Sequence, residues 1–174
     1  SSEASAYECF HSTFQAAVTH ELEALVKDLR SAAGRVADQP VNLSDLRTRG
    51  DGGEDVSRSL KALVEELVAR WRFVLATYRA HVAAEDEVVL PALAARVSNV
   101  AYELKHEAED SLFDAITQAL DEAVELIATN EGEGPAPADT KVGRERLKDT
   151  IQCAARTAHA IKTALAQHLT KEAA

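Results

Sequence analysis

Apolar residues recur every three or four positions in four segments of the chain, and this spacing is typical of amphipathic α-helices. In the first segment they are Phe10, Phe14, Val18, Leu22, Leu25 and Leu29. The predicted helices span Ala4–Ala33, Val56–Ala94, Asn99–Thr129 and a last segment that begins between Thr140 and Gly143. No segment alternates with the period of two that half-buried strands require, so the pattern predicts an all-α chain.

The connections between these segments are rich in helix-breaking residues. The first is GRVADQPVNLSDLRTRGDGGED, where SDLR favours one short turn from Ser44, and the last is NEGEGPAPADTKVG. Pro91 either kinks the final turns of the second helix or ends that helix early. Helices of about 28 residues are ~40 Å long, and helices of matched length bury their apolar faces best as an up-down-up-down four-helix bundle.

Composition and charge narrow the class of protein. At 174 residues the chain has the size of a single domain, residues 1–174, with its own core. Its formal net charge of −10 argues against nucleic acid and anionic membranes as partners. The lack of any Met predicts a fragment of a larger multidomain protein. Cys9 and Cys153 form no CxxC motif and are predicted to be reduced and structural, which favours a cytoplasmic or nuclear location.

Histidines and glutamates on the apolar faces provide the candidate chemistry. Each helix places one histidine on its apolar face, and two helices add a glutamate four residues later, at the spacing that stacks side chains on one face. These residues are His11, His81, Glu85, His106, His168 and Glu172. For a single such histidine, a hydrogen-bonded core residue is the more common explanation. His20 and His159 lie off the apolar faces and are interpreted as surface histidines or as hydrogen-bond partners of a ligand.

The position of each residue along its helix gives an independent argument. In an up-down-up-down bundle, helices 1 and 3 begin at the end where helices 2 and 4 finish. His11 and His106 lie near the starts of their helices, whereas His81 and His168 lie near the finishes. All four histidines and both glutamates therefore converge on one layer. Burying six such polar groups together is costly unless a cation compensates them, so this layer predicts a metal site.

The donor set indicates which metal the layer binds. Four imidazoles and two carboxylates, without a thiolate, exceed what one tetrahedral zinc ion takes up. They suit two octahedral ions with bridging carboxylates and positions left for oxo, hydroxo or dioxygen ligands. Two Fe ions in a di-iron centre are expected, with Mn or Zn as substitutes. In KHEAEDSLF, both Glu109 and Asp110 follow His106 at helical spacing, and the longer reach of Glu109 favours it as a further ligand or hydrogen-bond acceptor.

These motifs resemble those of the hemerythrin-like, HHE cation-binding family, whose pattern is a histidine on helices 1 and 3 and HxxxE on helices 2 and 4. The matching segments are CFHSTF, HVAAEDEVVLPAL, KHEAEDSLF and HLTKE, and the resemblance spans nearly the whole chain. The second and third segments are most similar to the N-terminal hemerythrin domains of plant and algal BRUTUS-type RING ubiquitin ligases. Unlike oxygen-carrying hemerythrins, the chain has Asp110 one turn after the third-helix histidine and HxxxE in place of HxxxxD.

The resemblance implies a non-enzymatic di-iron domain that senses iron, with dioxygen as a second candidate ligand, inside an E3 ubiquitin ligase of iron homeostasis. The implied partners are other domains of the same protein and ubiquitination targets such as transcription factors. Three alternatives stay open, namely an oxygen-storage hemerythrin, a di-iron oxidase or peroxide-reducing enzyme, and a plain helical interaction module. A reversible oxygen-dependent absorption band would identify the oxygen-storage hemerythrin, and multiple turnovers with a reductant would identify the enzyme. Thermal stability that chelators leave unchanged would identify the interaction module.

Overall fold

Four long helices and two short helical turns make up the part of the chain that the structure describes. The computed structural model describes residues 2–38, 52–89, 91–92, 95, 107–128 and 137–172. The helices are α1 (Ser2–Asp38), α2 (Gly52–Ala84), α3 (Glu107–Ile127) and α4 (Lys141–Glu172), with a π-helical turn at Glu85–Val89 and a 3₁₀ turn at Pro137–Asp139. No strand occurs within the described ranges, so the predicted all-α class is confirmed.

The helices pack in a ring in chain order, with α4 returning to α1. At the interface between α1 and α2, Phe14 contacts His81 and Asp28 contacts Arg70. Residue numbers therefore increase along α1 in the direction in which they decrease along α2. The pairs that cross the other interfaces are Trp71–Thr117, Tyr78–Asp110, Glu122–Arg146 and Glu23–Lys162. Neighbouring helices are thus antiparallel, and the predicted up-down-up-down bundle is confirmed.

The predicted apolar faces form the core of the bundle. The predicted residues that are buried are Val18, Leu22, Leu25, Leu29, Leu60, Leu67, Trp71, Val74, Tyr78, Phe113, Ile116, Leu120, Ile127, Leu147, Ile151, Ala158, Ile161 and Leu165. Phe14 and Leu63 are partly buried against them, whereas the side chain of Phe10 and the whole of Tyr102 lie outside the described part. Because these side chains recur with the helical period, burying them determines which face of each helix points inward.

The start of α4 lies where the sequence predicts it. The Thr140 hydroxyl accepts a hydrogen bond of 3.0 Å from the Gly143 amide, which satisfies one of the N–H groups that a helix leaves open at its first turn. Glycine is required at position 143 because a Cβ there would collide with the carbonyl of Pro137 in the 3₁₀ turn. The turn therefore folds back tightly onto the first residues of α4.

The end of α2 differs from the prediction. Regular α-helix stops at Ala84, short of the predicted Ala94, and the chain continues as the π-helical turn. Pro91 accounts for the change, because it lacks an N–H and its ring clashes with the carbonyl four residues before it. A wider turn relieves this clash. Residues 91–92 are again helical, so of the two predicted outcomes Pro91 kinks the last turns rather than ending them. The turn predicted at Ser44 and the predicted start of the third helix at Asn99 lie outside the described residues.

Two further sequence expectations concern membranes and cysteines. In the described ranges, no helix combines the length and the hydropathy that a bilayer span demands. Cys9 and Cys153 are free thiols, as predicted, but both are exposed, so neither contributes to the core.

Candidate metal centre

His81 and Glu85 form the best-defined part of the predicted site. His81 lies in the last turn of α2 and Glu85 opens the π-helical turn, so one helical turn separates them. The His81 side chain is 6% exposed and that of Glu85 is fully buried, at 0%. The Nε2 atom of His81 lies 3.0 Å from Oε1 of Glu85. An imidazole and a carboxylate therefore face the same small volume inside the bundle.

The imidazole of His81 is held in one plane by a neighbour on α1. The rings of Phe14 and His81 are stacked, with centroids 3.6 Å apart and planes inclined by 5°. This contact covers one face of the imidazole and leaves the ring edge, which carries both nitrogens, as the part that can bind a ligand. A ring fixed in this way loses little rotational freedom when its nitrogen binds a ligand. Phe14 is thus a positioning residue for His81.

The third helix contributes Glu109 to the same end of the bundle. Glu109 is buried, at 6% exposure, whereas its neighbour Asp110 is exposed. The Tyr78 hydroxyl donates a hydrogen bond of 3.3 Å to Oδ1 of Asp110, which occupies that carboxylate at the outer side of the layer. The rotation of α3 therefore directs Glu109 inward and Asp110 outward.

Tyr78 lies close to the carboxylates of this layer, and its pKa responds to their charge. Its ring stacks on Phe113 at a centroid distance of 4.0 Å. Burial raises the pKa of its phenol well above the ordinary value, and the negative charges of Asp110, Glu109 and Glu85 act in the same direction. The phenol consequently stays protonated and lies among three carboxylates. A cation placed in this layer would lie among these negative charges.

The other predicted ligands lie partly or wholly outside the described residues. His11 is a residue of α1, and His168 and Glu172 are residues of α4, but the description does not extend to their side chains. His106 immediately precedes the first described residue of α3 and lies outside the described ranges. Among the side chains that are described, no group of three or more His, Cys, Asp or Glu residues is arranged around a common point.

Helix register relates the two partly described helices to the layer. Glu23 of α1 pairs with Lys162 of α4, and these two helices run antiparallel. Continuing this register, the backbone of residue 168 lies near the level of residue 17, and that of residue 172 near the level of residue 13. Phe14, at position 14, already contacts His81. The HxxxE segment of α4 thus reaches the level at which α2 contributes His81 and Glu85.

One pair of the described donors, His81 and Glu85, has the separation of two neighbouring ligands on a six-coordinate ion. Two ligands about 2.1 Å from a common ion and at right angles to each other lie about 3 Å apart, which is the separation of His81 Nε2 and Glu85 Oε1. The same separation also suits a direct contact between an imidazolium and a carboxylate. A buried carboxylate such as Glu85 is expensive to desolvate, and a bound cation offsets that cost. Among the described side chains, His81 and Glu85 would hold such an ion from α2, and Glu109 lies in the same layer without sharing a common point with them.

The sequence did not predict that two residues of the layer, Phe14 and Tyr78, contact the candidate site. Phe14 and Tyr78 were both predicted as core residues from their apolar spacing, and the structure places each against a polar partner. The available signal for Tyr78 was its position three residues before His81, which puts a hydroxyl one turn from a candidate ligand. Phe14 gave no comparable signal, since its contact depends on how α1 is rotated against α2.

Comparisons with known proteins lead to one group of plant proteins. The chain is homologous to the zinc finger protein BRUTUS of Arabidopsis thaliana, with 37% identity over 105 residues, which are 59% of this chain and 7% of that protein. Two BRUTUS-like zinc finger proteins of the same plant match at 42% identity over 64 residues and at 31% over 112 residues. These stretches cover 36% and 63% of this chain, and 5% and 8% of those proteins. No protein-family model and no solved structure matches the chain.

The chain therefore corresponds to a small part of much longer relatives. The helical bundle is compatible with a hemerythrin-like domain, as the sequence motifs predict. BRUTUS and BRUTUS-like proteins are its homologues over parts of its length.

Proposed function

We propose that the chain is a di-iron-binding, hemerythrin-like domain that senses iron for an E3 ubiquitin ligase. One observation carries the proposal, namely that fully buried Glu85 lies 3.0 Å from buried His81, in the layer that also contains Glu109. Carboxylates in such a place need a positive partner, and the predicted ligands His11, His106, His168 and Glu172 would complete a site for two ions. The homology to BRUTUS proteins supports the ligase context.

Sensing follows from the linkage between folding and metal binding. The acidic residues of the layer repel one another while no cation is bound, so the site end of the bundle is less stable without metal. Iron bound to the folded chain shifts the equilibrium toward the folded state, because an unfolded chain cannot keep the ligands together. The stability of this bundle end then depends on the concentration of available iron. In a longer ligase, that dependence would control the lifetime of the protein or its access to targets.

The side chains of the layer favour sensing over catalysis. Tyr78 remains protonated and donates a hydrogen bond to Asp110, which keeps Asp110 at the edge of the layer. Phe14 and the neighbouring core cover the imidazole face and limit the access of water. Bound iron would supply a positive charge and an open position for dioxygen. A site that orders the surrounding helices needs no turnover to transmit a signal, and the domain is accordingly proposed to be non-enzymatic.

Iron removal provides the test of this function. Dialysis of the iron-loaded chain against a chelator is expected to lower its melting temperature by about 5–10 °C, since a ligand at 100 times its dissociation constant contributes about 2.7 kcal/mol. Circular dichroism at 222 nm measures the transition in both states. His81→Ala is the control, because chelation should leave its melting temperature nearly unchanged. Equal melting temperatures for the wild-type chain with and without iron would favour the plain interaction module instead.

A further inference from the structure

A groove between α1 and α4 gathers positive charge on a strongly acidic chain. Lys27 and Arg30 of α1 face His159 and Lys162 of α4 across a space of about 380 Å³, with Val26 at its floor and Glu23 at one end. We call these six residues the basic groove. On α1 the groove begins at Glu23, twelve residues and about 18 Å from His11, and on α4 it ends at Lys162, six residues and about 9 Å before His168.

The basic groove keeps most of its positive charge available. Glu23 forms an ion pair with Lys162. The hydrogen bond and the charge of Lys162 hold the pKa of Glu23 below its ordinary value, and His20 acts in the same direction. Glu23 is thus ionised and already occupied by Lys162. Within the described part of the chain, Lys27 and Arg30 take part in no ion pair or hydrogen bond.

The net charge of the groove contrasts with that of the whole chain. Three permanent cations, Lys27, Arg30 and Lys162, against the one carboxylate of Glu23 leave a local charge of +2, before any protonation of His159. The chain as a whole carries −10. Screening confines the attraction of a surface charge to about 8–10 Å in physiological salt, so a ligand lying in the groove responds mainly to its four basic residues.

The form of the groove indicates the kind of anion that it binds. The basic side chains are spaced about one helical turn apart on each helix, from Lys27 to Arg30 and from His159 to Lys162, so they extend along the groove. Lys27, Arg30 and His159 are exposed, and the groove is open to solvent. A small free ion would be poorly enclosed there. A duplex or long single strand of nucleic acid would extend onto the acidic surface beyond the groove, where its phosphates are repelled.

We propose that the basic groove binds an acidic peptide segment of a partner protein, one that carries adjacent carboxylates. An extended segment of this kind fits between two antiparallel helices and places successive carboxylates near Lys27 and Arg30. The forked guanidinium of Arg30 suits a carboxylate in two-point contact. None of the six groove residues is a predicted metal ligand, so the peptide test can fail without affecting the proposed iron site, and the reverse.

The test uses the full chain and a fluorescein-labelled peptide with four consecutive glutamates, followed by fluorescence anisotropy at about 50 mM salt, where exposed charges are weakly screened. The double variant Lys27→Gln, Arg30→Gln is expected to bind the peptide about tenfold more weakly than the wild-type chain. The matched control is Arg72→Gln, Arg79→Gln, which removes two exposed cations of α2 outside the groove. Its affinity should stay within about twofold of the wild-type value.

Several outcomes would overturn the proposal. If both double variants weakened peptide binding equally, the binding would depend on the overall charge of the chain and not on the groove. If a peptide with glutamine in place of glutamate bound as tightly, the groove would not recognise negative charge. Complete displacement of the peptide by inorganic phosphate at the same concentration of negative charge would assign the groove to a small anion. Tighter binding of an oligothymidylate would assign it to nucleic acid. Absence of peptide binding to the wild-type chain at low salt would reject the site altogether.

Discussion

His81→Ala is expected to lose most of the bound iron, falling from about two ions per chain to fewer than about one. The substitution removes the Nε2 atom that lies 3.0 Å from Glu85 Oε1. One ion would then lose its imidazole ligand, and Glu85 would lose the neighbour beside its carboxylate. It also removes the ring that stacks on Phe14. Metal analysis of the purified protein by inductively coupled plasma mass spectrometry measures the change.

The matched control for this variant is His20→Ala. His20 is an exposed residue of α1, so its removal should leave the iron content unchanged. Because His81→Ala also opens a gap in the bundle, Glu85→Gln is a second variant that keeps the shape of the side chain and removes only its charge. It should lose iron as well. If both site variants keep the wild-type iron content while their helical content is normal, the assignment of His81 and Glu85 as ligands is wrong.

Trp71→Ala is expected to lower the free energy of unfolding by about 3–5 kcal/mol, the range for removing a large buried aromatic side chain. Trp71 is 2% exposed and stacks on Phe113 at a centroid distance of 5.2 Å. Its Nε1–H also donates a hydrogen bond of 3.0 Å to the Thr117 hydroxyl. The substitution therefore leaves a cavity and removes the donor for Thr117. Urea unfolding of the metal-free protein measures the loss without any contribution from iron.

Phe73→Ala is the control for the core prediction. Phe73 lies two positions further along the same helix, but its side chain is 60% exposed. Its replacement should change the free energy of unfolding by no more than about 0.5 kcal/mol. Similar losses for the two variants would mean that α2 is rotated differently from the structure described here, and the placement of His81 on the inner face would then need revision.

The bundle could be predicted from the sequence because one physical signal dominates it. Buried residues such as Leu22, Leu67 and Ile151 recur with the helical period, so the spacing of apolar residues predicts the inner face of each helix. The same spacing predicts that His81 and Glu85 are buried. Helix ends carry weaker signals, which explains why α1 continues to Asp38, beyond the predicted Ala33.

The finer geometry of the layer depends on contacts between helices, which helical spacing alone does not determine. Glu109 and Asp110 are neighbours about 100° apart around the helix, and the rotation of α3 against α2 places one inside and the other beside Tyr78. The π-helical turn arises from the conflict of Pro91 with the preceding carbonyl, and two local solutions were open. The basic groove requires the register of α1 against α4, which the ion pair of Glu23 and Lys162 reveals.

The iron content of the wild-type chain tests the central claim most directly. The purified chain is reconstituted with excess iron(II) under anaerobic conditions, freed of unbound metal by gel filtration, and measured for iron and protein in the same fractions. The layer of His81, Glu85 and Glu109, completed by the predicted ligands His11, His106, His168 and Glu172, predicts about two iron ions per folded chain. A chain that is fully helical by circular dichroism and elutes without iron would contradict the proposal that this layer is a metal site.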